Sequence, residues 1–486
     1  MSTVSIIDWL IIAAYFIGVL GIGRWAAKKI HSDDDFLLAG RSLGKLPTAL
    51  STAATDFGGS GIIGASGLVY SVGVAGVYWN WSAAPAWFIL GLTFAGPLRR
   101  LALTTIPEYL ERRYSGAARK AAAILHLLGL TVSISAQTMV AGLMISTLTG
   151  MNQTLAVIIS TLCFVSYTAA GGLLAVIWTD VAQYLILVFG VAIAAPVVFF
   201  MAGSFEGIAA SLPETFWDFK ALGWMEPLAW VALAFFMYGT HQAFIQRIFA
   251  AKDEATAKFA YVFTGVSYLV YGAIIAVAAI STAALFPGLE KADLAFPVMV
   301  RDAMPVGLKG ILMAAVLAAT MSTSSSNLNS AATLFSVDIY KRMLRPDASE
   351  KTMLVVARIS TVVIAVISLI CSFFFQRVID IVVFSTLIYS AGVFFPVLIG
   401  LFNYRVNAQG ALSALVLGGT SAVISSLFLY GRVGGLLGAI HPEFVGSLVS
   451  LTLLIVVSRL TPPPPEEKIA FLRSIDVSKE ELMKKF

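Results

Sequence analysis

Charge is scarce in this chain. Only 12% of its 486 residues are Asp, Glu, Lys or Arg, where ordinary soluble proteins carry about 25%. The 27 acids and 32 bases could not cover the cores of the roughly three soluble domains that this length would otherwise suggest. Cysteine is nearly missing: Cys163 and Cys371 both lie inside apolar runs, too few for a disulfide framework, and read as packing thiols. The four histidines, His31, His126, His241 and His441, are scattered and make no zinc motif. There is no Walker A sequence, no nucleophile elbow and no glycine-rich fingerprint after a strand, so an ATP-driven pump has no support. An enzyme would need an acid, base or nucleophile set, and Asp56, Asp180 and His241 have no recognised spacing for one. The first apolar run follows Asp8 with no basic segment before it, so no cleavable signal peptide is expected.

What the chain has in abundance is apolar sequence. Apolar residues make up 58% and aromatic residues 12%, and the mean hydropathy is +0.88. A span of about 20 apolar residues plus a short loop uses about 35–40 residues, giving about 13 spans. The expected fold is therefore an all-α polytopic membrane protein. Runs between charged breaks place spans near 6–27, 47–71, 77–97, 121–148, 154–170, 180–202, 226–246, 257–286, 306–339, 353–375, 378–402, 408–430 and 437–458.

The net charge of +5 sits between these runs, where it signals orientation and not nucleic acid. With the N-terminus outside, the cytoplasmic loops collect Arg24, Lys28, Lys29, Arg41, Lys45, Arg99, Arg100, Arg112, Arg113, Arg119, Lys120, Arg247, Lys252, Lys258, Lys341, Arg342, Arg345, Lys351 and Arg405. The external side receives far fewer, which by the positive-inside rule predicts N-out, C-in in the cell membrane. The tail after Arg459 leaves the bilayer through Pro462-Pro463-Pro464-Pro465, a stiff extended exit, with no room for a signalling domain before Phe486.

Four spans carry polar groups of interest. Span two reads Ala54-Thr55-Asp56-Phe57-Gly58-Gly59-Ser60-Gly61. Glycines beside an acid are poor material for a continuous lipid-facing helix, and an intramembrane acid is tolerated mainly where it faces a cavity or a partner. Span seven offers a weaker break at Tyr238-Gly239-Thr240-His241-Gln242, where His241 could equally be a core residue. The two breaks lie five spans apart, the pattern of an inverted repeat with its site at the midplane. Span nine contains Ala319-Thr320-Met321-Ser322-Thr323-Ser324-Ser325-Ser326; Ala319, Ser322, Thr323 and Ser326 fall on one face. Neutral oxygens at adjacent heights suit a hard cation such as sodium, although Ser and Thr also bond their own helix or a neighbour. Span six opens with Trp178-Thr179-Asp180, where the acid could cap the helix or supply charge for a second cation.

These residues resemble the sodium/solute symporter family. The specific runs are Tyr167 to Leu173, Ala175-Val176, Trp178-Thr179-Asp180 and Gln183, with Asp35-Phe36, Gly40 to Gly44, Ala319 to Thr323 and Asp338-Ile339-Tyr340. The resemblance implies a LeuT-like 5+5 inverted-repeat core with one extra N-terminal and two extra C-terminal helices. The corresponding division is 1–46 (first span and loop), 47–202 and 203–402 (the two repeats, the second with an external loop), 403–458 (two accessory spans) and 459–486 (tail). It also implies a principal sodium site at the carbonyls of Ala54, Phe57 and Ala319 and the hydroxyls of Ser322 and Thr323. A second site of the kind some relatives have would use Asp180 with Ser322, Ser325 and Ser326. Asp56 is similar to an aspartate of the proline-carrier branch.

The expected activity is sodium-coupled symport of a small organic solute by alternating access. The partners expected are the solute and the bilayer, with no nucleic acid and no obligatory protein partner. Candidate solute-lining residues are Asp56, Phe57, Gly58, Ser60 and Gly61 on span two, Trp79 and Trp81 on span three, and Gln137 on span four. Span seven adds Tyr238, His241 and Gln242, and span eleven Ser385 and Tyr389. This modest polarity suits an amino acid or related zwitterion such as proline. A quaternary ammonium compound such as choline, or a monocarboxylate such as pantothenate, are alternatives. Ser133 stands where the sialic acid branch resembles an arginine clamp, which disfavours that solute. A proton in place of sodium, on Asp56 or Asp180, is the nearest rival within transport; a passive channel would need a continuous polar lining.

Overall fold

The computed structural model describes residues 4–374, 384–433 and 440–473, the side chain of Ser60 excepted. Within them the chain runs through α1 (Ile6–Ala27), α2 (Lys45–Asp56), α3 (Ala65–Val72), α4 (Ala83–Thr93), α5 (Gly116–Thr149), α6 (Gln153–Met201) and α7 (Met225–Tyr238). It continues through α8 (Gln242–Ala250), α9 (Glu254–Leu285), α10 (Leu308–Thr333), α11 (Glu350–Ser372), α12 (Ser390–Phe402), α13 (Ala408–Ile424) and α14 (Pro442–Leu460). Among the described residues nine helices are long and apolar enough to cross a bilayer, and the bent pair α7 and α8 makes a further span.

Starts and stops follow local chemistry. Ser5 and Asp8 form a reciprocal capping box at α1, while Ser115, Asn152, Asp253, Ser349 and Asn407 each cap a helix through a side-chain oxygen. At about 1.5 Å per residue a straight α6 would far exceed the bilayer thickness. Gly172 interrupts it, with φ 52° and ψ −144°. A Cβ there would lie 2.3 Å from the Phe36 carbonyl oxygen, so glycine is required. The break falls between the two spans expected here, and it puts the start of the second half earlier than Asp180. Asp180 therefore lies two turns inside a helix and caps nothing.

α10 is the hub. It is buried along nearly its whole length and packs on α1, α2, α5, α6 and α11. The short helix Ile106–Arg113 ties one end of the bundle together: Arg119 bonds Asp338 at 2.7 Å and also Glu111, and Arg342 reaches Glu111 at 2.6 Å. The tail folds back onto the same helix, Lys468 Nζ donating to the Glu111 carbonyl at 3.1 Å. Burial pushes the Glu111 carboxyl up, but hydrogen bonds from Arg342 and Arg119 outweigh it and hold the group below its ordinary 4.5. A carboxylate lowered in the folded state contributes stability above its unfolded pKa, which is lost as pH falls through the folded value. Thermal unfolding in detergent should accordingly lose midpoint steadily as pH drops below about 4.5, and Glu111→Gln should flatten that slope. An unchanged slope in the variant would contradict this role.

Candidate functional site

The site begins with two carbonyls that lose their helical donors. In an unbroken helix Ala54 O would accept from the Gly58 N–H and Thr55 O from the Gly59 N–H. α2 stops instead at Asp56, with Phe57 at φ −73° and ψ 51°. The Gly58 N–H turns to Asp56 O at 2.7 Å, and the Gly59 N–H to Gln137 Oε1 at 3.0 Å. Side chains could not follow this path: a Cβ on Gly58 would lie 2.9 Å from Thr323 Oγ1, and one on Gly59 would lie 2.4 Å from Val140. The chain resumes through a widened turn at Ser60–Gly64 into α3.

α10 answers the two freed carbonyls. Ser322 Oγ lies 2.8 Å from Ala54 O and 3.0 Å from Ala319 O. Thr323 Oγ1 lies 2.8 Å from Thr55 O and 3.1 Å from Ala319 O. Each hydroxyl has one proton and two carbonyls in reach. Two freed carbonyls thus meet two hydroxyls, and Ala319 O, which in continuous α10 already accepts the Thr323 N–H, turns a further lone pair to the same spot: a buried, oxygen-rich cluster of the kind a hard cation suits. Ala54, Ala319, Ser322 and Thr323 are brought together as the resemblance implied. The Phe57 ring packs away from them, on Tyr271 and Tyr268 with centroids 4.6 Å distant.

One layer further along α10, Asp180 has a different partner from the cation its acidity suggested. Arg247 Nη2 bonds Asp180 Oδ2 at 2.8 Å, both side chains being buried. Ser51 Oγ also donates to Asp180 Oδ2, at 2.6 Å, and Thr55 Oγ1 lies 2.8 Å from Ser326 Oγ. Arg247 reaches Ser51 Oγ and Ser326 Oγ as well. Arg247 read as a loop charge in the sequence; it sits on α8, in the core. Ser326 joins Asp180, but Ser325 donates to the Ser322 carbonyl of its own helix at 3.1 Å. In this conformation a guanidinium supplies the positive charge beside Asp180.

Beside the break lies a cavity of about 120 Å³. Asp56, Gly61, Trp79, Gln137, Tyr238 and His241 line it as expected, with Thr55 and Thr323 of the oxygen cluster. Trp87 Nε1 donates to Asp56 Oδ2 at 3.0 Å, and Tyr268 OH to the Asp56 carbonyl at 3.3 Å. Trp87 stacks on Tyr238 at 4.3 Å. His241 caps α8 through Nδ1 and packs on Phe244.

Of the expected lining residues, Phe57, Gly58, Trp81, Gln242, Ser385 and Tyr389 do not line the cavity. Trp81 donates to the Leu269 carbonyl at 3.0 Å. Gln242 clamps the loop before Ile106–Arg113, accepting from the Ile106 N–H at 3.0 Å. Tyr389 is one ring removed, stacked on His126 at 4.8 Å. Ser385 presses its carbonyl towards Gly129, and its neighbour Thr386 lines the cavity instead. The side chain of Ser60 lies outside the described residues. Sequence reading passed over Asn80, Ser133, Trp230, Tyr268 and Asn327 as lining residues. Asn327 continues the polar face of α10 one turn past Thr323, a signal that was present; it donates to Ser133 Oγ at 3.0 Å.

Two broken spans meeting a hydroxyl-rich continuous helix define a multi-pass membrane carrier. The chain matches the sodium:solute symporter family over residues 36–418 and belongs to it. Among curated relatives it is 28% identical to sodium/glucose cotransporter 4 of Danio rerio, over 97% of this chain and 81% of that protein. It is 28% identical to the sodium/glucose cotransporter of Vibrio parahaemolyticus (85% and 83%) and 27% identical to the osmoregulated proline transporter OpuE of Bacillus subtilis (93% and 94%). The fold is shared with a Na⁺-coupled sialic acid symporter solved in a substrate-bound outward-open state. That structure superposes with a TM-score of 0.80 over 94% of this chain and 99% of that one, at 20% identity. MhsT, solved with L-phenylalanine, gives 0.54 at 16% identity, over 86% of this chain and 99% of that one. The chain is a sodium-coupled solute symporter with a LeuT-like fold.

Removing one partner from a buried ion pair strands the other charge, at a cost of about 3–5 kcal/mol. Asp180→Asn should therefore lower the unfolding midpoint of the purified protein markedly, and adding Arg247→Gln should recover part of the loss. Equal midpoints for wild type and Asp180→Asn would refute the pairing.

Proposed function

We propose that the coupling sodium ion sits among the oxygens of Ala54, Ala319, Ser322 and Thr323, with the Phe57 carbonyl completing the shell. The reading rests on the convergence of buried carbonyl and hydroxyl oxygens from broken α2 and continuous α10 at one point. A second ion at Asp180 would have to share or displace Arg247, so the principal site is the one assigned here. Residues 47–202 and 203–402 are read as the two five-span repeats, with the N-terminus outside and the C-terminus inside.

The solute is read as a small amino acid or related zwitterion such as proline. Asp56 is a cavity-wall carboxylate framed by Trp87, Tyr238 and Tyr268, a setting that attracts an ammonium group by charge and by aromatic faces. The N-terminal end of the α3 half-span, whose helix dipole favours anions, faces the same break and suits a carboxylate. The Bacillus relative is a proline transporter. A second reading, a neutral sugar, rests on the amides of Asn80, Gln137 and Asn327 around the cavity and on the sodium/glucose relatives.

In proteoliposomes with sodium outside, uptake of labelled proline should exceed that of glucose, choline or pantothenate, and replacing sodium by potassium at fixed pH should abolish it. Thr323→Val keeps the shape but removes a ligand. It should raise the sodium concentration for half-maximal uptake at least about tenfold with little change in thermal stability; normal sodium dependence would defeat the ion assignment. Asp56→Asn should abolish zwitterion uptake while sodium still stabilises the protein. Undiminished zwitterion uptake in that variant would remove Asp56 from the ammonium contact, and glucose uptake exceeding that of proline in the wild type would favour the sugar.

A further inference from the structure

Away from the site, α11 carries a charge that the transport reading does not use. Arg358 is the ninth residue of α11, about 12 Å along the helix from Glu350, inside an otherwise apolar membrane span. Its Nη2 makes one long bond to the Ala170 carbonyl at 3.4 Å, and its guanidinium lies 5.9 Å from the Phe36 ring centroid. Its Nε is buried with no hydrogen-bond partner among the described residues. A guanidinium has five donors, and a charge at membrane depth is costly unless it is matched. Capping the helix end before Gly172 accounts for one donor.

Arg358 stands in a groove of about 710 Å³ between α1, α6 and α11. The walls are apolar or small, including Ala27, Ala169, Ala170 and the exposed Ile359, Val362 and Val363. A belt of interfacial side chains marks the level of its mouth. Trp25, two residues before Ala27, meets Trp178 edge to face at 5.8 Å, and Lys29 Nζ lies 4.0 Å over the Trp25 ring. Exposed tryptophans with a lysine at a helix end mark the headgroup region of a bilayer. The guanidinium, in a lipid-exposed apolar groove that Ala27 near this belt also lines, fits an anionic headgroup drawn in from the interface with its acyl chain along the wall.

We propose that this groove binds one anionic phospholipid, its phosphate on Arg358 and its chain against Ile359, Val362 and Val363. Arg is suited to the role because its planar fork meets phosphate oxygens two at a time. The site is distinct from the solute cavity, and it holds whichever solute the carrier takes.

The test uses the full-length protein in detergent, with phosphatidylglycerol, phosphatidylcholine or inorganic phosphate added, read by thermal unfolding and by native mass spectrometry. Wild type should retain phosphatidylglycerol and gain midpoint with it, while phosphatidylcholine and inorganic phosphate give less than half the gain. Arg358→Gln should lose at least half of both signals. Val362→Phe, which narrows the groove and leaves the guanidinium in place, should do the same and serves if Arg358→Gln folds poorly. Retention of phosphatidylglycerol at wild-type levels in either folded variant overturns the proposal. So does an equal gain from phosphatidylcholine, or from inorganic phosphate alone, which would mark a free-anion site.

Discussion

The fold turns on the fact that α10 stays continuous where α2 breaks. Within a bilayer there is no water to satisfy a backbone carbonyl, so an interrupted helix survives only where protein groups replace the lost bonds. Here Gln137 takes the stray Gly59 N–H, and Ser322 and Thr323 address the carbonyls of Ala54 and Thr55. The hydroxyls of α10 are therefore structural before they are functional. They also gather carbonyl and hydroxyl oxygens of two helices at one buried point, the feature on which the proposed ion site rests.

The second broken span is tied to the first by the same logic at higher charge. Arg247 on α8 bonds Asp180 on α6, Ser51 on α2 and Ser326 on α10. One guanidinium thus joins both interrupted spans to the continuous hub. Buried ion pairs are weak contributors to net stability but strongly resist separation. This layer consequently suits a latch, holding one arrangement of the four helices until another set of contacts replaces it. Directly beside it, Thr55 contacts Ser326 through its hydroxyl and Thr323 through its carbonyl, so the latch and the oxygen cluster share a residue.

Much of this was legible in the sequence because membrane chains declare their elements by apolar runs and their exceptions by polar interruptions. Asp56 beside Gly58 and Gly59, and the serine run after Ala319, gave the break and the hydroxyl face. Gly239 gave the second bend, which measures 53° between α7 and α8. The failures share a cause. Arg247 follows an apolar segment and looked like a loop charge, because nothing local reveals that the bend returns α8 into the core. Asp180 looked like a cap because a helix start was placed at it and not at Gly172, whose positive φ leaves no signature beyond glycine itself. Trp81 and Gln242 are the right residue types on the right spans. Their faces depend on helix rotation, which 3.6-residue periodicity leaves undetermined when every face is apolar.

The placement of the cavity then bears on how ion and solute influence each other. Coupling requires that both favour one conformation, and the effect is reciprocal by thermodynamic necessity. Long-range relay is not needed here. Thr323 lines the cavity and at the same time contributes its hydroxyl to the oxygen cluster, and Thr55 lines it while offering the carbonyl that Thr323 bonds. The carboxylate of Asp56 is the next residue along the chain. On the proposed assignment, a solute against Asp56 and Thr323 would order the broken end of α2 that the ion also needs ordered, and the ion would prepare the wall that the solute touches. On that assignment the driving force, about 2.3 kcal/mol per charge per 100 mV, would act within one helical turn of the proposed solute cavity. The spacing gives the glycines at 58 and 59 their place: a Cβ at 58 would crowd Thr323 Oγ1 and the Gln137 amide, and one at 59 would run into Val140 of α5 and Thr320 of α10.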